Sequence, residues 1–139
     1  MVALFLFMVI DNSLPVQERL KSKILISRVF AQGKSKSAGP LRLIHLSTES
    51  SDARSAGLIQ IMVSVSKKLF PRAVDRNAIK RQLREAYRTQ KHLLAPIETK
   101  LESKGLAIAL LFTEKEVVEQ RIILDKLSLL LRHLVSEYG

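Results

Sequence analysis

The chain of 139 residues contains no cysteine. Disulfides, thiolate nucleophiles and zinc sites of the Cys type are therefore excluded, and a reducing cytoplasm is the expected setting. The N-terminal run VALFLFMVI (Val2 to Ile10) is apolar, but it is too short to span a bilayer and lacks the basic flank of a signal peptide. Two readings are open for it: an extra strand or tail that docks on the domain, or a start assigned too far upstream. The second is preferred, because ordinary domain sequence begins near Leu14. Residues 1–13 thus read as an apolar extension and 14–139 as one domain, since the chain is too short for two cores. There is no internal repeat. His45, His92 and His133 lie far apart in sequence without metal-ligand spacing. Glu114, Glu116 and Glu119, at the expected start of a last helix, are explained by its macrodipole rather than by catalysis.

Negative charge is scarce, and its scarcity is local. Lys and Arg number 23 against 13 Asp and Glu, a formal charge of +10. Residues 66–92 hold 9 of these cations against 2 acids, so +7 sits in less than a fifth of the chain. Such concentration is the footprint of a polyanion site, with nucleic acid as leading partner. An anionic membrane would require the apolar face opposite the charge to be free for lipid.

Hydrophobic periodicity predicts an α+β domain in the order helix, two strands, helix, strand, helix. The first helix is expected over Val16–Gln32 from the recurrence of Leu20, Ile24, Ser27 and Phe30/Ala31, with Ser13 as a cap and Gly33 as its end. Lys34–Pro40 reads as a loop and Leu41–Ser47 as a strand, followed by a hairpin-type connection, TESSDARSA. Leu58–Ser66 alternates cleanly: Ile59, Ile61, Val63 and Val65 face the core, and Gln60, Met62, Ser64 and Ser66 face something polar. A long helix follows from about Val74 to Leu93, with Pro96 marking its far side and a charged linker around Glu98–Lys104. Leu106–Phe112 suits a strand buried on both faces. The last helix spans Lys115–Ser136, with Val118, Ile122, Leu127, Leu130, Leu131 and Leu134 inward.

On the basic helix each residue advances about 100°. With Arg76 at zero, Lys80, Arg84 and Arg88 fall at roughly 40°, 80° and 120°, Lys91 near 60°, Asn77 near 100° and Arg81 near 140°. Ile79, Leu83, Ala86, Gln90 and Leu94 cluster at roughly 280° to 360°, a stripe able to pack on the sheet. Like charges four residues apart repel, whereas a merely solvated face mixes signs. The arrangement makes sense against phosphates, and the apolar stripe is committed to the core rather than to lipid. Lys67, Lys68 and the polar strand face add ammonium, amide and hydroxyl donors beside it.

The runs SVSKK (Ser64–Lys68) and AVDRNAIKRQLREAYR (Ala73–Arg88) closely resemble the signature of the protein component of bacterial ribonuclease P. LPVQERLKSKILISRVFAQGK (Leu14–Lys34) more weakly resembles that family's first helix, which ends in Phe-x-x-Gly. The resemblance implies a subunit that assists removal of the 5′ leader from precursor tRNA, with the active site and its Mg2+ ions belonging to the catalytic RNA and substrate and no catalytic residue in this chain. It implies RNA contacts at Lys67, Lys68, Arg72, Arg76, Asn77, Lys80, Arg81, Arg84 and Arg88. It also implies a leader cleft at Phe30, Ile26, Ile44, Gln60, Ser64 and Ser66, where unpaired bases could stack on Phe30. A central mixed sheet with a left-handed crossover through the basic helix is expected on the same ground, against the usual hand. The chain departs from the family pattern in places. Ala78 replaces a common basic residue, Ile26 and Ile44 stand where aromatics are frequent, Met62 replaces a common Gly, and LFPR (Leu69–Arg72) is bulky. No obligatory protein partner is implied. The alternative reading is a structural RNA-binding or RNA-chaperone protein with no part in cleavage.

Overall fold

The computed structural model describes residues 18–48, 59–101 and 104–139. Strands β1 (Lys34–Ala38), β2 (Leu41–Thr48), β3 (Ile59–Val65) and β4 (Gly105–Phe112) form one sheet in the order β1-β2-β4-β3. β1, β2 and β4 are antiparallel in turn, and β3 runs parallel to β4. The chain from β3 to β4 is therefore a crossover. It carries α2 (Ala73–Gln90), a 3-10 turn (Lys91–Leu94) and α3 (Ala95–Leu101); α1 (Lys23–Gln32) precedes the sheet and α4 (Gln120–Tyr138) follows it. This is the α+β arrangement expected. The apolar extension, the Ser13 cap and the connection 49–58 lie outside the described residues. Among the described residues no helix is long and apolar enough to cross a membrane.

The sheet is covered on both faces, which is why β4 reads as an unbroken apolar run. Leu106, Ile108, Leu110 and Phe112 point to the larger core, with Leu41 and Leu43 of β2 and Ile59, Ile61 and Val65 of β3. Ile79, Leu83, Ala86 and Tyr87 of α2 and Ile123, Leu127, Leu130, Leu131 and Leu134 of α4 close that face. Each of the Leu, Ile, Val and Phe side chains contributes roughly 1.5–3 kcal/mol relative to exposure. The opposite face is thinner: Ile44, Ala107 and Ala109 lie under Leu20, Leu25 and Val29.

Several expectations are corrected. α1 begins at Lys23, because the Ser22 hydroxyl caps it by accepting from the Leu25 N–H at 3.3 Å. Ahead of it Arg19 bridges Ile61 in parallel and the Leu20 N–H donates to the Ile61 carbonyl at 2.9 Å, so this stretch extends the sheet at the free edge of β3. The inward face of α1 is consequently Leu25 and Val29, and Ile24 is 71% exposed. Gly33 does end the helix, with its N–H on the Val29 carbonyl; a Cβ there would meet that oxygen at 2.4 Å and Ile44 Cγ2 at 2.7 Å. Lys34–Ala38 is a strand, not a loop. Its hairpin to β2 turns at Gly39, whose φ of 54° suits glycine. α2 stops at Gln90, and the expected linker is helical as far as Leu101, in α3, where Pro96 sits in the first turn and its missing N–H costs nothing. α4 starts only at Gln120, so Glu114 and Glu116 lie in the exposed connection before it. Ile123, and not Ile122 as expected, belongs to its buried face, because the helix starts later than the expected Lys115.

Candidate RNA interface

The basic helix is anchored by the turn that leads into it. Phe70 is buried against Phe112, ring centroids 5.9 Å apart, and its N–H donates to the Ser66 carbonyl at 3.0 Å. The Ser66 hydroxyl accepts from the Lys68 N–H at 3.1 Å, so this residue, expected in the leader cleft, shapes the turn. Arg76 has a similar double life. Its Nη1 donates to the Phe70 and Pro71 carbonyls at 2.9 and 2.8 Å, satisfying oxygens that precede the helix. Asp75 in the first turn suits the helix N-terminus and lies 3.9 Å from Arg72.

Beyond that turn the cations separate into two kinds. Arg88 is held by Glu85, Nε to Oε2 3.2 Å, which lowers the Glu85 pKa and raises that of Arg88. Lys91 reaches Glu18 at 3.1 Å. Lys67, Lys68, Lys80, Arg81 and Arg84, by contrast, make no ion pair among the described residues, and the Asn77 side chain is exposed between them. Arg84 has its pKa lowered by partial burial and then by the like charge of Arg19. Unpaired like charge on one face is what a phosphate chain would neutralise. The buried stripe is also wider than predicted. Tyr87, at about 20° on the wheel, lies between Arg76 and Lys80 and is 1% exposed. Burial, with Glu18 and Glu98 adding to it, pushes its phenol pKa up.

The second part of the site is the α1 face of the sheet, which strand register lays out in rows. One row reads Ser35, Ile44, Ala109, Met62, and the next reads Ser37, Arg42, Leu111, Ser64. α1 covers the first row, so Ile44, expected in the cleft, is a core residue at 5% exposure. Ile26 packs on the edge of this cluster and Phe30, one turn on, is 48% exposed. Gln60, Met62 and Ser64 are half-buried on β3. Where Arg19, Leu20 and Lys21 run along the edge of β3, they line a cavity of about 310 Å³ with Ile61, Met62, Val63, Arg84 and Tyr87. Arg19 and Lys21 were missed by sequence reasoning because they were assigned to a helix. Their signal would have been the Ser22 cap that cuts the helix short.

On the far side of the molecule His45 and His133 do come together, ring centroids 6.4 Å apart, while His92 is exposed. His45 Nδ1 and the Tyr138 hydroxyl share a hydrogen bond of 2.7 Å. Among the described residues no group of three His, Asp or Glu side chains could hold a metal ion.

Comparison with known proteins bears on this geometry. The family model described as Ribonuclease P matches residues 14–122. The Ribonuclease P protein component of Chlorobaculum tepidum is 42% identical over 83 residues, 60% of this chain and 54% of the relative. That of Chlorobium phaeobacteroides is 39% identical over 105 residues, 73% of this chain and 72% of the relative. The match to the first thus spans about half of that relative's length. The solved RNase P protein of Staphylococcus aureus superposes with a TM-score of 0.61 at 21% identity, covering 88% of this chain and 98% of that one. That of Thermotoga maritima gives 0.61 at 24%, covering 84% and 96%. These two likenesses establish the fold.

Proposed function

The chain belongs to the ribonuclease P protein family, and from that premise we propose that it is the protein subunit of a ribonuclease P ribonucleoprotein, assisting endonucleolytic removal of the 5′ leader from precursor tRNA. The observation that carries the proposal is a set of cations that make no ion pair among the described residues: Lys67 and Lys68 in the turn that follows β3, and Lys80, Arg81 and Arg84 on α2. In this reading α2 grips the catalytic RNA by its phosphates, Arg76 chiefly holds the turn that aims the helix, and the α1 face of the sheet receives the single-stranded leader with Phe30 as its open ring. Hydrolysis and its Mg2+ ions are assigned to the RNA and substrate, and this chain supplies charge, shape and position in the cytoplasm.

The test is reconstitution. Purified protein added to bacterial ribonuclease P RNA at low magnesium should accelerate leader removal from precursor tRNA. Intact RNA affinity without acceleration would replace this proposal with that of a structural RNA-binding protein.

A further inference from the structure

Aromatic stacking is scarce on the α1 face of the sheet. Among the described Phe and Tyr residues only Phe30 is exposed; Phe70, Phe112 and Tyr87 are in the core, and Tyr138 is engaged with His45. Ile26 and Ile44 are aliphatic, and Ile44 is sealed beneath α1. A single strand lying here would find one ring to stack on. Its grip must come from another kind of contact.

Register supplies a candidate. Arg42 follows the Gly39 turn on β2, and its cross-strand partner on β4 is Leu111, whose own partner on β3 is Ser64. Paired residues point to the same side of a sheet, so Arg42, Leu111 and Ser64 form one row beside the row that α1 covers. Two strand spacings put Arg42 roughly 10 Å from Ser64. Arg42 is the only charged residue in either row, is exposed, and makes no ion pair among the described residues. Among the described residues its side chain makes a single hydrogen bond, a long one of 3.4 Å from Nη2 to the Ser35 hydroxyl on the same face. The row therefore offers a guanidinium fork at one end, a hydroxyl at the other and a half-buried apolar floor between them. Past Ser64 the strand runs into Ser66 and then Lys67 and Lys68, which make no ion pair among the described residues. A nucleotide chain leaving the basic turn thus has a continuous path to Arg42.

We infer that Arg42 binds a backbone phosphate of the single-stranded leader, with a base or sugar lying on Leu111. This rests on the leader reading above and deepens it. Because the fork reads phosphate rather than base edges, leader binding should be sensitive to salt and tolerant of leader sequence.

The experiment uses holoenzyme reconstituted with ribonuclease P RNA and compares precursor tRNA carrying a long leader with mature tRNA. Arg42→Ala should weaken long-leader binding roughly three- to tenfold and reduce the slope of log affinity against log salt by about 0.7, the loss of one single-strand phosphate contact. Mature tRNA affinity, assembly with the RNA and the thermal midpoint should stay as in the unaltered protein, and Arg42→Lys should restore part of the loss. Equal weakening for precursor and mature tRNA, or no weakening, overturns the assignment. A holoenzyme that shows no preference for precursor over mature tRNA before any substitution overturns the leader reading itself. A preference that Arg42→Ala leaves unchanged overturns only the role of Arg42.

Discussion

Arg76 and Lys80 stand one turn apart on α2, and the difference between them is what each already touches. Arg76 spends a guanidinium nitrogen on two carbonyls of the turn, whereas Lys80 has no ion-pair partner among the described residues. Arg76→Ala should therefore cost about 1–2 kcal/mol of folding stability, the range for charged hydrogen bonds to partly exposed backbone oxygens. Lys80→Ala should leave stability within about 0.5 kcal/mol and weaken RNA assembly with a shallower salt dependence. Urea titration of both variants beside RNA binding at two salt concentrations separates the cases, and equal midpoints would remove the structural role given to Arg76. Sequence could place both residues on one face because helical phase is fixed by spacing. It could not show that the turn folds back onto one of them. Tyr87 was overlooked for a related reason: a phenol between two cations looks like a boundary residue until α2 is seen packed deeply enough to bury it.

At the scale of elements, α1 is seated by the smallness of its floor. Ala107 and Ala109 on the central strand are flanked in register by Leu46 and Ile44 on β2 and by Gln60 and Met62 on β3, and the alanines let Leu25 and Val29 descend between larger neighbours. Ala109→Leu should overpack this layer at a cost of about 1–3 kcal/mol and push α1 away from the strip that receives the leader. A lower urea midpoint at unchanged slope, together with reduced discrimination between precursor and mature tRNA, is the expected pair of results. An unchanged midpoint would mean that α1 does not sit on the alanines. The same layer explains what could be read in advance. β4 was visible because burial on both faces leaves an apolar run, and β3 because its two faces differ. β1 was not, since KSKSA is an edge strand with exposed positions 34–37 whose identity comes from pairing with β2. α1 was placed one step out of phase because Leu20, though buried, belongs to the sheet-edge segment and not to the helix.

On the scale of the whole molecule, charge and closure lie toward opposite edges of the sheet, the first at β3 and the second at β1 and β2. The cations that make no ion pair among the described residues collect around the basic turn and α2, while the end of α4 is tied to β2 and β1. Tyr138 meets His45, Glu137 lies 3.6 Å from Lys34, and His133 lies 3.8 Å from Glu137. His45 is buried, and that desolvation lowers its pKa from the ordinary 6.5; Glu137 opposes the shift, and His133 and Lys34 add to it. In the folded protein it therefore holds a proton less readily than in the unfolded chain. The unfolded state then binds more protons below 6.5, so stability from this site is complete above that pH and is lost as pH falls towards the depressed folded value. The clasp joins the last helix to the second strand, so its loosening should be felt as global destabilisation rather than local fraying. Thermal midpoints measured from about pH 7.5 to about pH 5 should decline, and the decline should be smaller in His45→Gln, which keeps a polar partner for Tyr138 without a titrating ring. If both proteins lose stability along the same curve, the acid sensitivity resides in other groups and His45 is only a packed neutral ring.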